Sequence, residues 1–219
     1  MTWSESHLIR MSDGMEASGA LIFTIRRTSR VRGRRLVRRR NRGLKVRYQS
    51  SSSKARKETS STLIKYDSIH GTSDAEIKFN ENQLIINKNK ISFSKESDLE
   101  KINWKKFDVD YVIECTGKFN SKDKLVAHIN NGAKKVIVSA PCKNSDKTIV
   151  FGVNENILTN DDQIISAASC TTNCLAPIAN ILNENFEIEK GFMTTIHAFT
   201  SDQRILDNSH KDPRRARSA

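Results

Sequence analysis

The sequence lacks any apolar run that approaches the roughly 18–20 residues needed to cross a bilayer, so we expect no membrane-spanning segment. It is also poor in cysteine. The four residues, Cys115, Cys142, Cys170 and Cys174, form no C-x-x-C motif and have no histidine pair at zinc spacing. We therefore predict neither a metal site nor a disulfide scaffold. Free thiols favour a reducing, intracellular setting, in which a cysteine can serve as a reactive group.

The 219 residues carry a net charge of +12, and 37% of them are hydrophobic. This hydrophobic share is enough to bury a core, and it excludes an acidic disordered chain or a collagen-like fibre. The first 60 residues hold 16 basic and 4 acidic residues, which accounts for the whole +12. Residues 61–219 hold 21 of each sign and are neutral. The basic balance therefore describes the first 60 residues and not the rest.

Segment 1–60 shows no sustained helical or strand period. An arginine-rich run lies between residues 26 and 47, and four consecutive serines follow at 50–53. Three hypotheses fit this composition: an organelle transit peptide, a basic arm for nucleic acid, or a misassigned or frameshifted start. Aromatic residues for base stacking are nearly absent from the run, which weakens the second hypothesis. We therefore leave 1–60 as an unassigned basic Arg/Ser-rich segment, either disordered or misassigned.

From residue 61 the pattern is that of an α/β fold, because short apolar strands alternate with amphipathic helices. The predicted strands are 75–79, 83–87, 90–93, 109–115, 136–139, 148–151, 163–168 and 191–197. One predicted helix covers 121–131 and has Ser121 as its cap. A second runs from Cys170 to about residue 185, and Pro177 inside it predicts a distorted first turn or a late start.

Cys170 follows a predicted strand directly and opens a predicted helix. The free N–H groups and the positive dipole end of a helix favour a thiolate over a thiol, so this placement suits a nucleophile. Cys174 lies one turn deeper and loses most of that benefit. The alternative is that Cys170 is only a small buried hydrophobe. His197 is a candidate base, but a lone histidine is more often structural, and sequence spacing does not prove contact with the thiol.

The segment SCTTNCLAP at residues 169–177 resembles the nucleophile signature of phosphorylating glyceraldehyde-3-phosphate dehydrogenase. Other segments resemble the same family in the same order: KYDSIHG at 65–71, IECTGKF at 113–119, VSAP at 138–141, GVN at 152–154, TTIHA at 194–198 and HKD at 210–212. The resemblance covers about residues 62–219. It implies an incomplete Rossmann-type parallel sheet in an NAD(P)-binding domain over 61–168. The start of an α+β catalytic domain would follow over 169–219.

The family resemblance also implies roles for individual residues. Cys170 would attack the aldehyde of glyceraldehyde 3-phosphate, with His197 as base, and the resulting thioester would pass to inorganic phosphate to give 1,3-bisphosphoglycerate. The implied phosphate-binding residues are Ser169, Thr171, Thr200 and Arg215, and the implied cofactor-binding residues are Thr116, Gly117, Phe119 and Ser139. NAD is the implied cofactor. The resemblance further implies a homotetrameric, cytoplasmic enzyme of glycolysis or gluconeogenesis.

The chain also departs from the family pattern. The family begins with a G-x-G-x-x-G turn, whereas no two of the nine glycines here stand at G-x-G spacing. Ser209 stands where NAD-specific members often carry proline, so NADP use stays open. The resemblance ends before a second substrate-binding arginine, and we expect little or no turnover and doubtful assembly from this chain alone. The alternative hypothesis is a non-catalytic protein whose basic N-terminal arm binds nucleic acid or acidic surfaces.

Overall fold

The computed structural model describes residues 22–25, 47–50, 57–67, 71–80, 83–96, 98–200 and 202–217. These residues include the helices α1 (Lys57–Lys65), α2 (Lys122–Asn130) and α3 (Cys170–Phe186). The strands are β1 (Ile22–Ile25), β2 (Arg47–Ser50), β3 (Tyr66–Asp67), β4 (Gly71–Thr72), β5 (Ile77–Phe79), β6 (Gln83–Ile86), β7 (Asn89–Lys95), β8 (Tyr111–Glu114), β9 (Lys135–Val138), β10 (Lys147–Thr148) and β11 (Ile164–Ser166). Short 3-10 turns cover Leu99–Lys101, Lys105–Phe107, Glu155–Ile157 and Pro213–Arg215.

The larger sheet has the strand order β1-β8-β9-β11-β10. Strands β8, β9, β11 and β10 are parallel, and α2 connects β8 to β9 as the crossover of a β-α-β unit. This arrangement is an open, Rossmann-type sheet and confirms the predicted α/β fold class. The carboxyl ends of parallel strands meet at one edge, which is where such sheets bind ligands.

The core beneath α2 is built from matching positions in neighbouring strands. Val112, Val136 and Ile164 are register partners across β8, β9 and β11, and all three are buried. Leu125 of α2 and Trp104 are fully buried in the same cluster. Burial of each such side chain is worth about 1.5–3 kcal/mol, so this cluster fixes the sheet against the helix.

A second sheet has the order β2-β7-β6-β5, in which β5, β6 and β7 form an antiparallel meander where strands 75–79, 83–87 and 90–93 are predicted. Leu84 and Ile91 face each other across β6 and β7 and form a small buried cluster. The strand β2 pairs in parallel with β7, and β1 pairs antiparallel with β8. Both strands lie within 1–60, where the sequence period predicts no strand. They pair with β8 and β7, which lie far along the chain, and a local sequence pattern does not reveal such pairing.

The helix α2 has nearly the predicted bounds. Ser121 occupies its N-cap position with an extended backbone, although its side chain makes no capping hydrogen bond. Leu125 and His128 point into the core from one face of the helix. Gly132 follows the helix at φ +105°, which only glycine adopts without strain, and the chain then enters β9.

The helix α3 runs unbroken from Cys170 to Phe186 with Pro177 inside it. The expected late start is therefore wrong, because the cap at Ser169 starts the helix well before the proline. Leu175, Ile178 and Leu182 recur at helical spacing along α3, and all three are exposed in the described structure. In the part of the chain that the structure describes, no helix combines the length and apolarity needed to cross a bilayer.

The predicted strand at 191–197 is wrong. These residues are described, and they carry no strand and no ladder pairing. Phe192 and Ile196 are almost completely exposed. A strand needs a neighbour that accepts and donates backbone hydrogen bonds, and no described strand pairs with this segment, so the alternating apolar pattern alone does not form one.

Candidate active site

The connection between β11 and α3 turns the chain sharply at the carboxyl edge of the sheet. Ala168, between the strand and the helix, has φ +61°, a left-handed conformation that is unfavourable for a residue with a side chain. The buried Ser166 holds this turn, because its hydroxyl donates to the Ala140 carbonyl at 2.9 Å and accepts from the Ala168 N–H at 3.1 Å. The turn places the next two residues, Ser169 and Cys170, at this carboxyl edge of the sheet.

Ser169 is the N-cap of α3. Its Oγ accepts a hydrogen bond from the Thr172 backbone N–H at 3.0 Å and lies 2.7 Å from the Thr172 hydroxyl. Cys170 is therefore the first residue of the helix, as the sequence pattern predicts, and its side chain is exposed. The sulfur lies at the positive end of the helix dipole, and the backbone N–H of Thr171 hydrogen-bonds it. Such surroundings stabilise a thiolate.

His197 lies against this sulfur. The Sγ atom of Cys170 and the Nε2 atom of His197 are 3.1 Å apart. The hydrogen bond with His197 is the largest influence on the thiol, and it lowers the pKa of Cys170 below its ordinary value. Desolvation opposes this shift, and the backbone N–H of Thr171 adds to it. A thiol with a lowered pKa is more ionised at neutral pH and is a better nucleophile.

The second ring nitrogen of His197 determines what Nε2 can do. Nδ1 lies 2.7 Å from the carbonyl oxygen of Ala198. A carbonyl only accepts, so Nδ1 must carry the proton, and Nε2 of the neutral ring is left as an acceptor that faces Sγ. This tautomer can take the thiol proton, which gives a thiolate beside an imidazolium.

Asn173 also fixes the start of the helix. Its Nδ2 donates to the carbonyls of Ala167 at 2.8 Å and Ser169 at 2.9 Å, which ties the first turn of α3 to the end of the strand. Sequence reasoning missed this residue. The available signal was an asparagine in the first turn of a helix, a residue type that competes for local backbone hydrogen bonds.

The four residues predicted to bind phosphate fall into two groups. Ser169 and Thr171 flank Cys170, where Ser169 caps the helix and the Thr171 hydroxyl hydrogen-bonds the cysteine sulfur. Thr200 lies three residues after His197, and its carbonyl accepts from Gln203 N–H at 3.0 Å. Arg215 closes the short 3-10 turn Pro213–Arg215.

Arg215 is held by carboxylates in the described structure. Its guanidinium pairs with Asp202 and lies 3.9 Å from Asp212. The Nε2 atom of His210 lies 3.6 Å from Oδ1, the other carboxylate oxygen of Asp202. Desolvation pushes the pKa of Asp202 upward, but the hydrogen bond and charge of Arg215 outweigh it and lower that pKa. Sequence reasoning missed Asp202, which no motif marks as the partner of the arginine.

The residues predicted to bind the cofactor lie at the carboxyl ends of two adjacent parallel strands. Thr116 and Gly117 follow β8, and Ser139 follows β9. The backbone N–H of Ser139 donates to the backbone carbonyl of Glu114 at 3.0 Å. Thr116 donates its backbone N–H to the Glu114 carboxylate at 2.7 Å. Phe119 is half-buried and packs against the core cluster.

A cavity of about 670 Å³ opens between the carboxyl ends of the parallel strands and the first turn of α3. Its lining is mostly polar or small: Asn120, Ser121, Pro141, Cys142, Lys143, Thr148, Ser166, Ala168, Ser169 and Thr172. The cavity extends from the start of α2 to the cap of α3, where Ser169 and Thr172 line it on either side of Cys170 in the sequence.

Gly117 is an accessible backbone position at this edge of the sheet. Gly117 has φ +69°, and a Cβ built there would meet no atom within 4 Å, so the backbone is open to a flat group. The pyrophosphate of a dinucleotide has no matching feature, because G-x-G spacing is absent from the whole sequence. Among the described residues, no cluster of three or more histidine, cysteine, aspartate or glutamate side chains could hold a metal ion.

Comparison with known proteins identifies two matching family models. The NAD-binding domain of glyceraldehyde 3-phosphate dehydrogenase matches residues 30–122, and the C-terminal domain of the same enzyme matches residues 169–219. The first match begins about 30 residues before the start of the sequence resemblance at residue 62.

Curated relatives agree with these matches. The chain is 54% identical over 162 residues to glyceraldehyde-3-phosphate dehydrogenase 2 of Bacillus subtilis, which covers 74% of this chain and 48% of the relative. It is 52% identical over 158 residues to the enzyme of Geobacillus stearothermophilus and 48% identical over 162 residues to that of Thermotoga maritima, covering 47% and 49% of those relatives. The chain thus spans about half the length of the curated relatives that it matches.

These findings favour the dehydrogenase hypothesis, and they give no support to the alternative of a non-catalytic basic arm. Both family models describe parts of one enzyme, they match in the order of that enzyme, and the cysteine, histidine and strand-end turns occupy the segments that carry the resemblance. The chain belongs to the glyceraldehyde-3-phosphate dehydrogenase family.

Proposed function

We propose that this chain carries the thiol centre of an NAD-dependent, phosphorylating oxidation of glyceraldehyde 3-phosphate. The contact of 3.1 Å between the Cys170 sulfur and His197 Nε2, at the amino end of α3, carries the proposal. A nucleophile, a base and a helix dipole meet there at the carboxyl edge of a parallel sheet.

In the first step Cys170 adds to the aldehyde carbon. His197 Nε2 takes the thiol proton, and its Nδ1–H stays on the Ala198 carbonyl, so the ring does not rotate as it is protonated. The sulfur forms a bond to the carbonyl carbon, and the carbonyl oxygen takes the proton from the His197 imidazolium to give a thiohemiacetal, which leaves the ring neutral again. The N–H groups at the start of α3 stabilise negative charge that develops beside the sulfur.

Oxidation follows on the same carbon. NAD, when bound, supplies an acceptor for the hydride that leaves this carbon. His197 takes the hydroxyl proton of the thiohemiacetal, so that the carbon becomes a thioester of Cys170. We assign Thr116, Gly117, Phe119 and Ser139 to the cofactor, since three of them follow the carboxyl ends of β8 and β9, at the same edge of the parallel sheet as the start of α3.

Phosphate then releases the product. An oxygen of inorganic phosphate attacks the thioester carbon, the bond to sulfur breaks, and the Cys170 thiolate is restored with an acyl phosphate as product. We assign the binding of phosphate groups to Ser169, Thr171, Thr200 and Arg215. Arg215 must exchange Asp202 for a phosphate group, and both partners present oxygen pairs to the guanidinium fork.

We further propose the domain division implied by the resemblance: 1–60 as a basic segment, 61–168 as the cofactor domain and 169–219 as the start of the catalytic domain. We place the protein in the cytoplasm, in keeping with its four free thiols. A homotetramer stays an expectation, and nucleic-acid binding is not expected. NAD binding is expected to be weak, because the G-x-G turn is absent.

Selective alkylation tests the thiol centre without requiring the cofactor. Iodoacetamide at neutral pH should label Cys170 well before Cys174, which is also exposed but lies one helical turn away. Glyceraldehyde 3-phosphate should protect Cys170 by forming the thiohemiacetal, and unphosphorylated glyceraldehyde should protect it less. Cys174→Ser serves as the control and should leave the labelling rate of Cys170 and its protection unchanged. Equally slow labelling of the two cysteines would refute the proposal.

A further inference from the structure

A fully buried polar chain runs from the core to the cofactor edge of the sheet. Trp104, His128 and Glu114 are exposed by 0%, 0% and 1%. The Trp104 indole N–H donates to Nδ1 of His128 at 3.1 Å, and Nε2 of His128 lies 3.4 Å from Oε2 of Glu114. The other carboxylate oxygen, Oε1, accepts the backbone N–H of Thr116 at 2.7 Å. A buried carboxylate is costly, so these contacts are what make it tolerable.

The direction of each hydrogen bond follows from the donor Trp104. An indole N–H can only donate, so Nδ1 of His128 must accept and carries no proton. The proton of the neutral ring therefore lies on Nε2 and points at Glu114. The backbone N–H of Thr116 is a donor as well. Both oxygens of Glu114 thus face donors, and only a carboxylate offers an acceptor at both ends.

The buried polar chain ends at a turn formed by residues 116–118. Thr116 accepts the backbone N–H of Lys118 at 3.0 Å through its Oγ1, and Gly117 between them has a left-handed backbone. Gly117 and Lys118 are exposed. The bond from Thr116 to Glu114 therefore ties the start of this turn to the rigid core, while Phe119 packs against the core just after it.

We propose that Glu114 is a positioning residue for the cofactor turn 116–118, and that His128 and Trp104 keep its carboxylate aimed at Thr116. The proposal rests on the proposed function in one respect: the turn is the one assigned to NAD. The positioning itself is a property of the free protein, so it is measured separately from cofactor binding.

Amide hydrogen exchange in the full chain measures the positioning. Glu114→Gln keeps the size of the side chain but is neutral and offers one acceptor for two donors, so the hydrogen bond from Thr116 loses its charged acceptor in one orientation of the amide and is lost in the other. A hydrogen bond to a charged group is worth about 10- to 100-fold in an equilibrium constant. We expect the Thr116 and Lys118 amides to exchange at least about tenfold faster in this variant. Leu125→Ala, in the same core but without a polar atom, should not single out these two amides.

Two variants of His128 separate positioning from packing. His128→Gln keeps one acceptor for the indole and one donor for the carboxylate, whereas His128→Leu keeps apolar volume only. We expect Gln to preserve slow exchange at Thr116 and Leu to lose it. The nitrogen shifts of His128 should report the Nε2–H form in the unmodified protein. The proposal is overturned if Glu114→Gln leaves Thr116 exchange as in Leu125→Ala, or if Gln and Leu at 128 are equally damaging.

Binding of NAD, followed by ligand-observed NMR, completes the test. If positioning matters for the cofactor, binding should weaken in Glu114→Gln and His128→Leu and persist in His128→Gln. Absence of binding to the unmodified chain would count against the proposed function, while the exchange result would still decide the role of Glu114. Faster exchange at Thr116 with unchanged NAD binding would overturn the link between the turn and the cofactor.

Discussion

The Sγ atom of Cys170 lies 3.1 Å from Nε2 of His197, although 27 residues of chain separate them. Two independent devices produce this contact. The cap at Ser169 and the clamp at Asn173 fix the sulfur at the start of α3, and the Ala198 carbonyl fixes the imidazole. Loss of either device should therefore be visible in the reactivity of the thiol.

Removal of the imidazole should raise the pKa of Cys170. The hydrogen bond with His197 is the largest cause of the lowered pKa, so His197→Asn should slow alkylation at neutral pH about tenfold for each unit by which the thiol pKa rises. The measurement is the rate of iodoacetamide labelling between pH 5 and 10, with the midpoint expected to move to higher pH. An unmoved midpoint would show that the contact does not act on the thiol.

Removal of the helix cap should weaken the first turn of α3. Ser169→Ala loses the acceptor for the Thr172 N–H, which costs about 1 kcal/mol of helix stability. The turn that surrounds Cys170 should fray, and alkylation at neutral pH should slow. Ser169→Asn restores a neutral capping acceptor and should recover most of both effects. Urea denaturation gives the stability, and the labelling rate gives the reactivity. Equal behaviour of Ala and Asn would contradict the capping role.

The sequence predicts the β8–α2–β9 unit and the helix α3 nearly to their ends, because their signals are local. A continuous apolar run, a capping serine and a terminating glycine need no knowledge of the partner elements. The same reasoning fails at 191–197, where the alternation is present but no described strand pairs with the segment. It also fails at β1 and β2, whose pairing is with strands far along the chain.

The candidate site likewise has features that a local sequence pattern predicts and features that depend on distant parts of the chain. The position of Cys170 at a helix start is local and is predicted, whereas its contact with His197 depends on how a distant segment returns to the sheet. Glu114 was also missed, although it stands two residues after the buried Val112 and so on the same face of β8. An acidic residue at a buried strand position is a signal that a partner exists, but it does not identify His128 or Trp104 as that partner.

Asp146 should matter for the stability of the sheet. Its Oδ2 accepts the backbone N–H groups of Gln163 at 2.9 Å and Ile164 at 2.8 Å, and Oδ1 pairs with Lys122. The side chain is only 18% exposed, so the loss of these bonds in Asp146→Ala should destabilise the fold by about 2–3 kcal/mol. Asp146→Asn keeps an acceptor for the strand and should cost less. Urea denaturation at pH 7 measures both, and a loss below 0.5 kcal/mol in Ala, the range of an ordinary surface substitution, would contradict this assignment.

The segment around Arg215 should lose its order at low pH. The side chain and backbone N–H of Arg214 hold the pKa of Asp212 at about 2, and the pKa of Asp202 is also lowered. A carboxyl whose pKa is lowered by folding stabilises the fold above the unfolded pKa of about 3.9, and this contribution disappears as pH falls toward the folded value. We therefore expect the turn Pro213–Arg215 to be unchanged above pH 4 and to loosen between about pH 4 and 2.

Backbone NMR shifts of residues 212–216 follow this transition. Asp212→Asn keeps an N-cap acceptor but cannot ionise, so the step assigned to Asp212 should vanish in this variant. Asp207→Asn is the control, because Asp207 belongs to an exposed pair with Arg217 at 3.5 Å that contributes little. If the step persists in Asp212→Asn or disappears in Asp207→Asn, the assignment to Asp212 is wrong.

A matched pair of glycines tests the cofactor edge. Gly117 has φ +69° and Gly152 has φ +82°, and a Cβ at either position would meet no atom within 4 Å. Alanine at either position should therefore lower the free energy of unfolding by a similar amount, roughly 1–2 kcal/mol, from backbone strain alone. Gly152 follows β10, the strand at the edge of the sheet, and two strands, β9 and β11, separate β10 from β8. Only Gly117→Ala should therefore weaken NAD binding. Ligand-observed NMR compares the two variants at matched stability, and an equal effect on binding would remove Gly117 from the cofactor site.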